Sequence, residues 1–251
     1  MPFTFAHAAA VIPCYKRTSK LSFTALVLGS MAPDLEYFIH FKPHAVYGHT
    51  FIGFFIFNFP LVLALAYIFH RILKKPLIGH LPRPFSSWYN SHAKENWGIY
   101  SVKAFFVFFY SAILGMTTHV VWDACTHKYG YFVMRLPLLQ QTLDVGGWSI
   151  PLYKIGQHGS TLFGLSVVGL FLYKQRDRTS CRAEVECTKL KRKMYYWLAI
   201  IVWSVLLFVS RYMLVDGIPL AAYGEWIVSF ISCTFMALVL VSIWFSKGMA
   251  R

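Results

Sequence analysis

The chain has 251 residues, of which 57% are hydrophobic and 18% aromatic but only 14% charged, and it carries a formal net charge of +14. Soluble domains hold about 45–50% apolar and about 25% charged residues, so this composition excludes an ordinary soluble domain and points to a membrane. The positive charge does not indicate nucleic acid as a partner, because the cations gather between apolar runs, where the positive-inside rule puts them.

Two apolar runs open the chain, Phe3 to Cys14 and Leu21 to Ala32. Both are shorter than the roughly 17 residues a spanning helix needs. Pro13 and the basic turn Lys16-Arg17-Thr18-Ser19-Lys20 separate them. A hairpin of two short helices is expected, because it brings His7 and Asp34 to one open end. A single span from Leu21 to His40 would leave His7 on the opposite side.

Long apolar runs follow at Phe51 to Phe69, Val102 to about Ala124, Tyr195 to about Leu214 and Ile227 to Phe245. Ser160 to Tyr173 is short, and it reaches spanning length if its helix begins near Ile155, with Gln157 and His158 in the first turn. The expected fold is all-α: a polytopic helical membrane protein with about five full spans plus the N-terminal short-helix hairpin, or a sixth span in its place. It forms a single integral membrane domain over residues 1–251. The portion carrying any metal site is mainly 1–165, and the spans at 195–214 and 227–245 complete the chain.

The gaps set an orientation. Residues 71–94 carry Arg71, Lys74, Lys75, Arg83 and Lys94, and residues 174–193 carry Lys174, Arg176, Arg178, Arg182, Lys189, Lys191, Arg192 and Lys193. Both loops, with Lys247 and Arg251, are expected in the cytoplasm. Their charge also suits the anionic headgroups of membrane lipids. His49 then opens one span at the outer face, His119, Asp123 and His127 close the next there, and His158 opens the third. Cys14, Cys125, Cys181, Cys187 and Cys233 show no CxxC and no paired spacing, so neither a disulfide framework nor a zinc ribbon is expected. The N-terminus lacks a basic region ahead of its apolar stretch, so no cleavable signal peptide is expected.

Ionisable residues at the end of an apolar helix are costly and point to a functional site. His119, Asp123 and His127 are spaced four apart, which stacks them on one helix face. Such a set suits metal ligation, and a satisfied His–Asp hydrogen bond at a helix end is the plainer alternative. The full set of candidate ligands is His7, Asp34, His49, His119, Asp123, His127 and His158. Neutral imidazoles with carboxylates favour a divalent metal, zinc first and manganese or iron next. Seven groups are too many for one ion, and Asp123 is placed to bridge. A bound ion lowers the pKa of its water from 15.7 to about 7, and paired ions clamp the attacking and leaving oxygens of a phosphoester. Glu36 is expected as a solvated loop charge, Trp122 and Trp148 as interface anchors, and His70, His80 and His92 as structural.

The opening Met-Pro-Phe-Thr-Phe-Ala-His, the stretch Ala25 to Phe38 with Pro33-Asp34, Gly48-His-Thr, Thr118 to His127 and Pro151 to His158 resemble the DUF4184 family of bacterial membrane proteins. These blocks cover most of residues 1–165, and the resemblance implies an inner-membrane location. More distantly, the order of an early His, then Asp, His and His-x-x-x-Asp is similar to that of zinc-dependent phospholipase C and of membrane-bound metal-dependent hydrolases of the YdjM type. The phospholipase likeness implies that Asp34, His49, His119 and Asp123 serve a zinc cluster, with His7 matching the early His. Its final His-x-x-x-Glu is absent here, so one or two ions are expected rather than three. The expected activity is hydrolysis of a phosphoester or lipid-linked substrate near the outer leaflet. Asp34 and Asp123 would be ligands or proton acceptors, and His158 would protonate the leaving group. A proton-coupled transporter and a non-catalytic protein with a structural metal are the rival expectations.

Overall fold

The computed structural model describes residues 3–15, 20–177, 190–214, 218–219 and 221–247. The chain is an all-α polytopic membrane protein in which five helices are long and apolar enough to cross a membrane. The described residues form six long helices: α1 (Phe23–His40), α2 (Phe51–His80), α3 (Val102–Thr126), α4 (Leu152–Lys174), α5 (Leu190–Leu214) and α6 (Tyr223–Lys247). All but α1 are among these five. Much of the 174–193 loop, including Arg178, Arg182 and Lys189, lies outside the described residues, as do Arg17 and Arg251.

The expected hairpin forms with unequal arms. Its first arm is two 3-10 helices, Thr4–Ala10 and Ile12–Cys14, and its second is α1, which continues past Ala32 and through Pro33 to His40. A helix reaching His40 therefore does not strand His7, because Asp34 lies more than a turn before that end. Tyr15 packs against Phe23 at one end of the hairpin, with ring centroids 4.8 Å apart. At the other end the Thr4 hydroxyl bonds to Asp34.

α2 runs well beyond the expected Phe69. It contains two wide π turns, Phe54–Asn58 and Ile68–Leu73, each just ahead of a proline, Pro60 and Pro76. A proline ring collides with the carbonyl four residues back. In both cases that carbonyl, of Ile56 or Ile72, falls inside the widened turn, and so the helix continues. Between α3 and α4 a hairpin of β1 (Thr142–Val145) and β2 (Trp148–Pro151) interrupts the helical pattern. Its turn is Gly146-Gly147, both at positive φ (58° and 84°), the residues this tight turn demands.

The chain packs as two compact units. The first comprises residues 1–35, 46–63 and 99–174. Here α1 and α3 touch backbone to backbone, and Phe59 packs against Phe105, Phe108 and Phe109. The second comprises residues 36–45, 64–98 and 175–251. Its core is Tyr196, Ile200 and Val241 on α5 and α6, with His80 stacked on Tyr196.

Candidate metal centre

The site lies in the first unit and starts from two glycines. A Cβ on Gly29 would stand 2.4 Å from the Ala112 carbonyl oxygen, and one on Gly115 would stand 2.4 Å from that of Leu26. Only glycine permits this approach, and small residues are how membrane helices come so close. One turn past Gly115, His119 Nδ1 donates to the Ser30 carbonyl at 2.8 Å. A carbonyl only accepts, so the proton sits on Nδ1 and the Nε2 lone pair is presented to the other side.

That lone pair faces two carboxylates. His119 Nε2 is 3.5 Å from Asp34 Oδ1 and 3.2 Å from Asp123 Oδ2. His49, in the turn before α2, brings Nε2 to 3.7 Å from Asp34 Oδ1 and 3.8 Å from Asp123 Oδ2. Ligand atoms of Asp34, His49, His119 and Asp123 all fall within 4.8 Å of one another. Zinc bonds of about 2.0–2.1 Å in a tetrahedron set ligand atoms roughly 3.3 Å apart. Most of the distances here are too long for good hydrogen bonds and suit the edges of such a polyhedron.

Burial makes the same case. Asp34, His119 and Asp123 are buried, yet Asp34 Oδ1, His119 Nε2 and Asp123 Oδ1 have no hydrogen-bond partner. Unpartnered buried polar atoms are rare, and two carboxylates this close repel unless a cation lies between them. The Asp–His–His–Asp group, buried except for His49, can therefore hold a metal ion.

Two more of the expected residues border the group. His7 is buried and stacks on His119 at 3.9 Å, with Nε2 3.5 Å from Asp123 Oδ1. Neither of its ring nitrogens has a hydrogen-bond partner. Burial lowers its pKa, which favours the neutral imidazole with its lone pair available. His127 Nδ1 is 3.4 Å from Asp123 Oδ1 and 3.1 Å from the Asp123 carbonyl. His158 is not brought into the cluster. It is exposed on α4, while its neighbour Gln157 is buried, as a step of about 100° around a helix allows.

Three details differ from expectation. Glu36 is fully buried rather than a loop charge, because α1 extends to His40, whose Nε2 lies 3.3 Å from its Oε1. Trp122 is half-buried and meets the His7 ring in a T-shaped pair at 5.6 Å, so it also borders the site. Thr4 is a member that the sequence reading misses, although its hydroxyl donates to Asp34 Oδ2 at 2.9 Å. The signal lies in Thr4-Phe-Ala-His7, since residues three apart in a 3-10 helix eclipse one another.

The profile of DUF4184, a domain of unknown function, matches residues 1–243. The chain belongs to this family. No curated protein and no solved structure matches it. The family match covers the last two helices as well as the site-bearing blocks, and it assigns no reaction. The distant hydrolase likenesses find no support in these comparisons, so the chemistry of the centre rests on its geometry.

Proposed function

We propose that the protein is a metal-dependent hydrolase of the bacterial inner membrane, acting on a lipid-linked phosphoester, with its basic segments 71–94 and 174–193 on the cytoplasmic side. The observation that carries this reading is the convergence of Asp34, His49, His119 and Asp123, with Asp34 Oδ1, His119 Nε2 and Asp123 Oδ1 buried and left without a hydrogen bond. Zinc suits the donor set best, with manganese or iron next. When bound, the ion supplies Lewis acidity and a water of lowered pKa. Asp34 is steadied by Thr4 and His119 by Ser30, so two of the four groups are oriented before any ion arrives. Asp34 or Asp123 would accept the proton lost by the attacking water. His127, whose side chain is 30% exposed, would return one to the leaving oxygen in place of His158.

A non-catalytic structural metal is favoured by one specific fact: four protein ligands can close a tetrahedral site and leave no open position. The number of ions separates the two readings. His7 Nε2 and Asp123 Oδ1 begin a second, incomplete set beside the first, with Asp123 able to bridge. Elemental analysis of the detergent-purified protein, followed by a screen of phospholipids and lipid-linked diphosphates, tests the proposal. Two ions per chain with turnover lost in Asp123→Ala is the expected result. One tightly held ion with no turnover would establish the structural centre instead.

A further inference from the structure

Three of the four converging groups ride on helices whose packing fixes them: Asp34 on α1, and His119 and Asp123 on α3. His49 does not. It lies in a turn, and its side chain is 34% exposed, more than those of the other three. Something must hold that turn against the site.

The Thr50 amide and hydroxyl both donate to the Tyr47 carbonyl, at 2.9 and 2.8 Å. The hydroxyl in turn accepts the Gly53 amide at 2.9 Å. A Cβ on Gly53 would lie 1.9 Å from the Tyr47 oxygen, so the turn is folded down onto the helix start. These contacts tie Tyr47 and Thr50, the residues flanking Gly48-His49. The pair itself is reached from further along. Asn58, at the end of the first π turn of α2, donates from Nδ2 to the Gly48 carbonyl at 2.6 Å. Asn58 is fully buried in an apolar helix, and its Oδ1 has no partner. An amide that served only to satisfy itself would pair both ends. This one spends its donor on the residue before His49 and leaves its acceptor unmet.

We propose that Asn58 is a positioning residue for His49: its amide clamps the Gly48 carbonyl and thereby aims the imidazole at Asp34 and Asp123. The proposal rests on the metal-centre reading above. Outer residues that orient a ligand typically change metal affinity by about tenfold to a hundredfold.

The test is Co(II) titration of the purified full chain, read by its visible ligand-field spectrum, in wild type, Asn58→Leu, Asn58→Ser and Asn58→Gln. Leucine keeps asparagine's branching at Cγ, in a bulkier side chain, but has no donor. Serine keeps polarity but is too short, and it serves if the leucine variant does not fold. Glutamine keeps the amide. Expected are a tenfold or greater loss of affinity and an altered spectrum in the leucine and serine variants, with partial recovery in glutamine. The loss should also disappear in a His49→Ala background, because the clamp then has nothing to aim. An unchanged affinity and spectrum would overturn the assignment and leave the metal centre standing. An equal loss with and without His49 would reduce Asn58 to a packing residue. If wild type takes up no Co(II), the metal centre falls and this role falls with it.

Discussion

Both compact units bury polar side chains, but they treat them differently. In the second unit, Lys74 donates to the Glu95 carbonyl at 2.6 Å, and Lys193 donates to the Leu81 carbonyl and the Ser86 hydroxyl at 2.7 and 2.9 Å. Tyr196 and Ser242 share a hydrogen bond, and Ser229 and Ser232 cap the carbonyls of Phe41 and Phe38. In the first unit, buried atoms of His7, Asp34, His119 and Asp123 point at one another without bonding. His80 Nε2 and Arg211 Nη1 are also unpartnered in the second unit, but each is a single atom and belongs to no converging group among the described residues. Partnered buried polarity stitches a fold together, whereas a converging unpartnered set calls for a ligand.

The sharpest way to break this contrast is to remove groups from each side. His119→Ala and Asp123→Ala should reduce bound metal to near zero, measured by elemental analysis. With free metal at a hundred times its Kd, the wild-type chain should gain about 2.7 kcal/mol of stability, and these variants should gain none. Lys193→Met, in the second unit, should do the reverse. It leaves the Leu81 carbonyl and the Ser86 hydroxyl without their partner, at a cost of about 1–3 kcal/mol in thermal unfolding, with metal content unchanged. Equal metal loss in all three variants would mean that the cluster is no more specialised than the rest of the interior.

Much of the first unit's side of this contrast is legible in the amino-acid sequence. The four-residue spacing of His119, Asp123 and His127 puts them on one helix face, and the ends of the apolar runs locate His49 and Asp34. Long-range packing is not legible. Gly29 and Gly115 look like ordinary glycines in sequence, because only the facing helix shows that a side chain there would strike a carbonyl. The extent of α2 is hidden by Arg71, Lys74, Lys75 and Pro76, which read as a basic loop, while the π turn Ile68–Leu73 lets the helix run on through the proline. His158 misleads because burial on α4 changes from one residue to the next, and an apolar run does not say which face of it turns inward.

The glycines give the next largest effect. Gly115→Val would drive a side chain into the Leu26 carbonyl and the Ser30 amide, 2.4 and 2.8 Å from its Cβ. Overpacking of this kind costs about 1–3 kcal/mol. Because it parts α1 from α3, metal binding should fail as well. Gly156→Ala, where an added Cβ meets nothing within 4 Å, is the matched control. It should leave metal binding intact and unfolding unchanged or slightly harder, by up to about 1 kcal/mol. If both variants lose metal alike, the close approach of α1 and α3 is not what assembles the centre.

Thr4 is expected to give the smallest effect and the most specific one. Its hydroxyl donates to Asp34 Oδ2, the oxygen turned away from the histidines, while Oδ1 faces His49 and His119. Thr4→Val keeps the shape and removes only that donor. The carboxylate is then free to rotate, and metal affinity should fall about tenfold, the lower end for residues that orient a ligand. Thr4→Ser, which keeps the hydroxyl, should restore it. The chain should fold as before, because the hydrogen bond is one contact in a hairpin also held by Tyr15 against Phe23 at its other end. A valine variant with wild-type metal affinity would show that Asp34 is aimed by α1 alone. A variant that unfolds at lower temperature with its affinity intact would move Thr4 to the stitching class seen in the second unit.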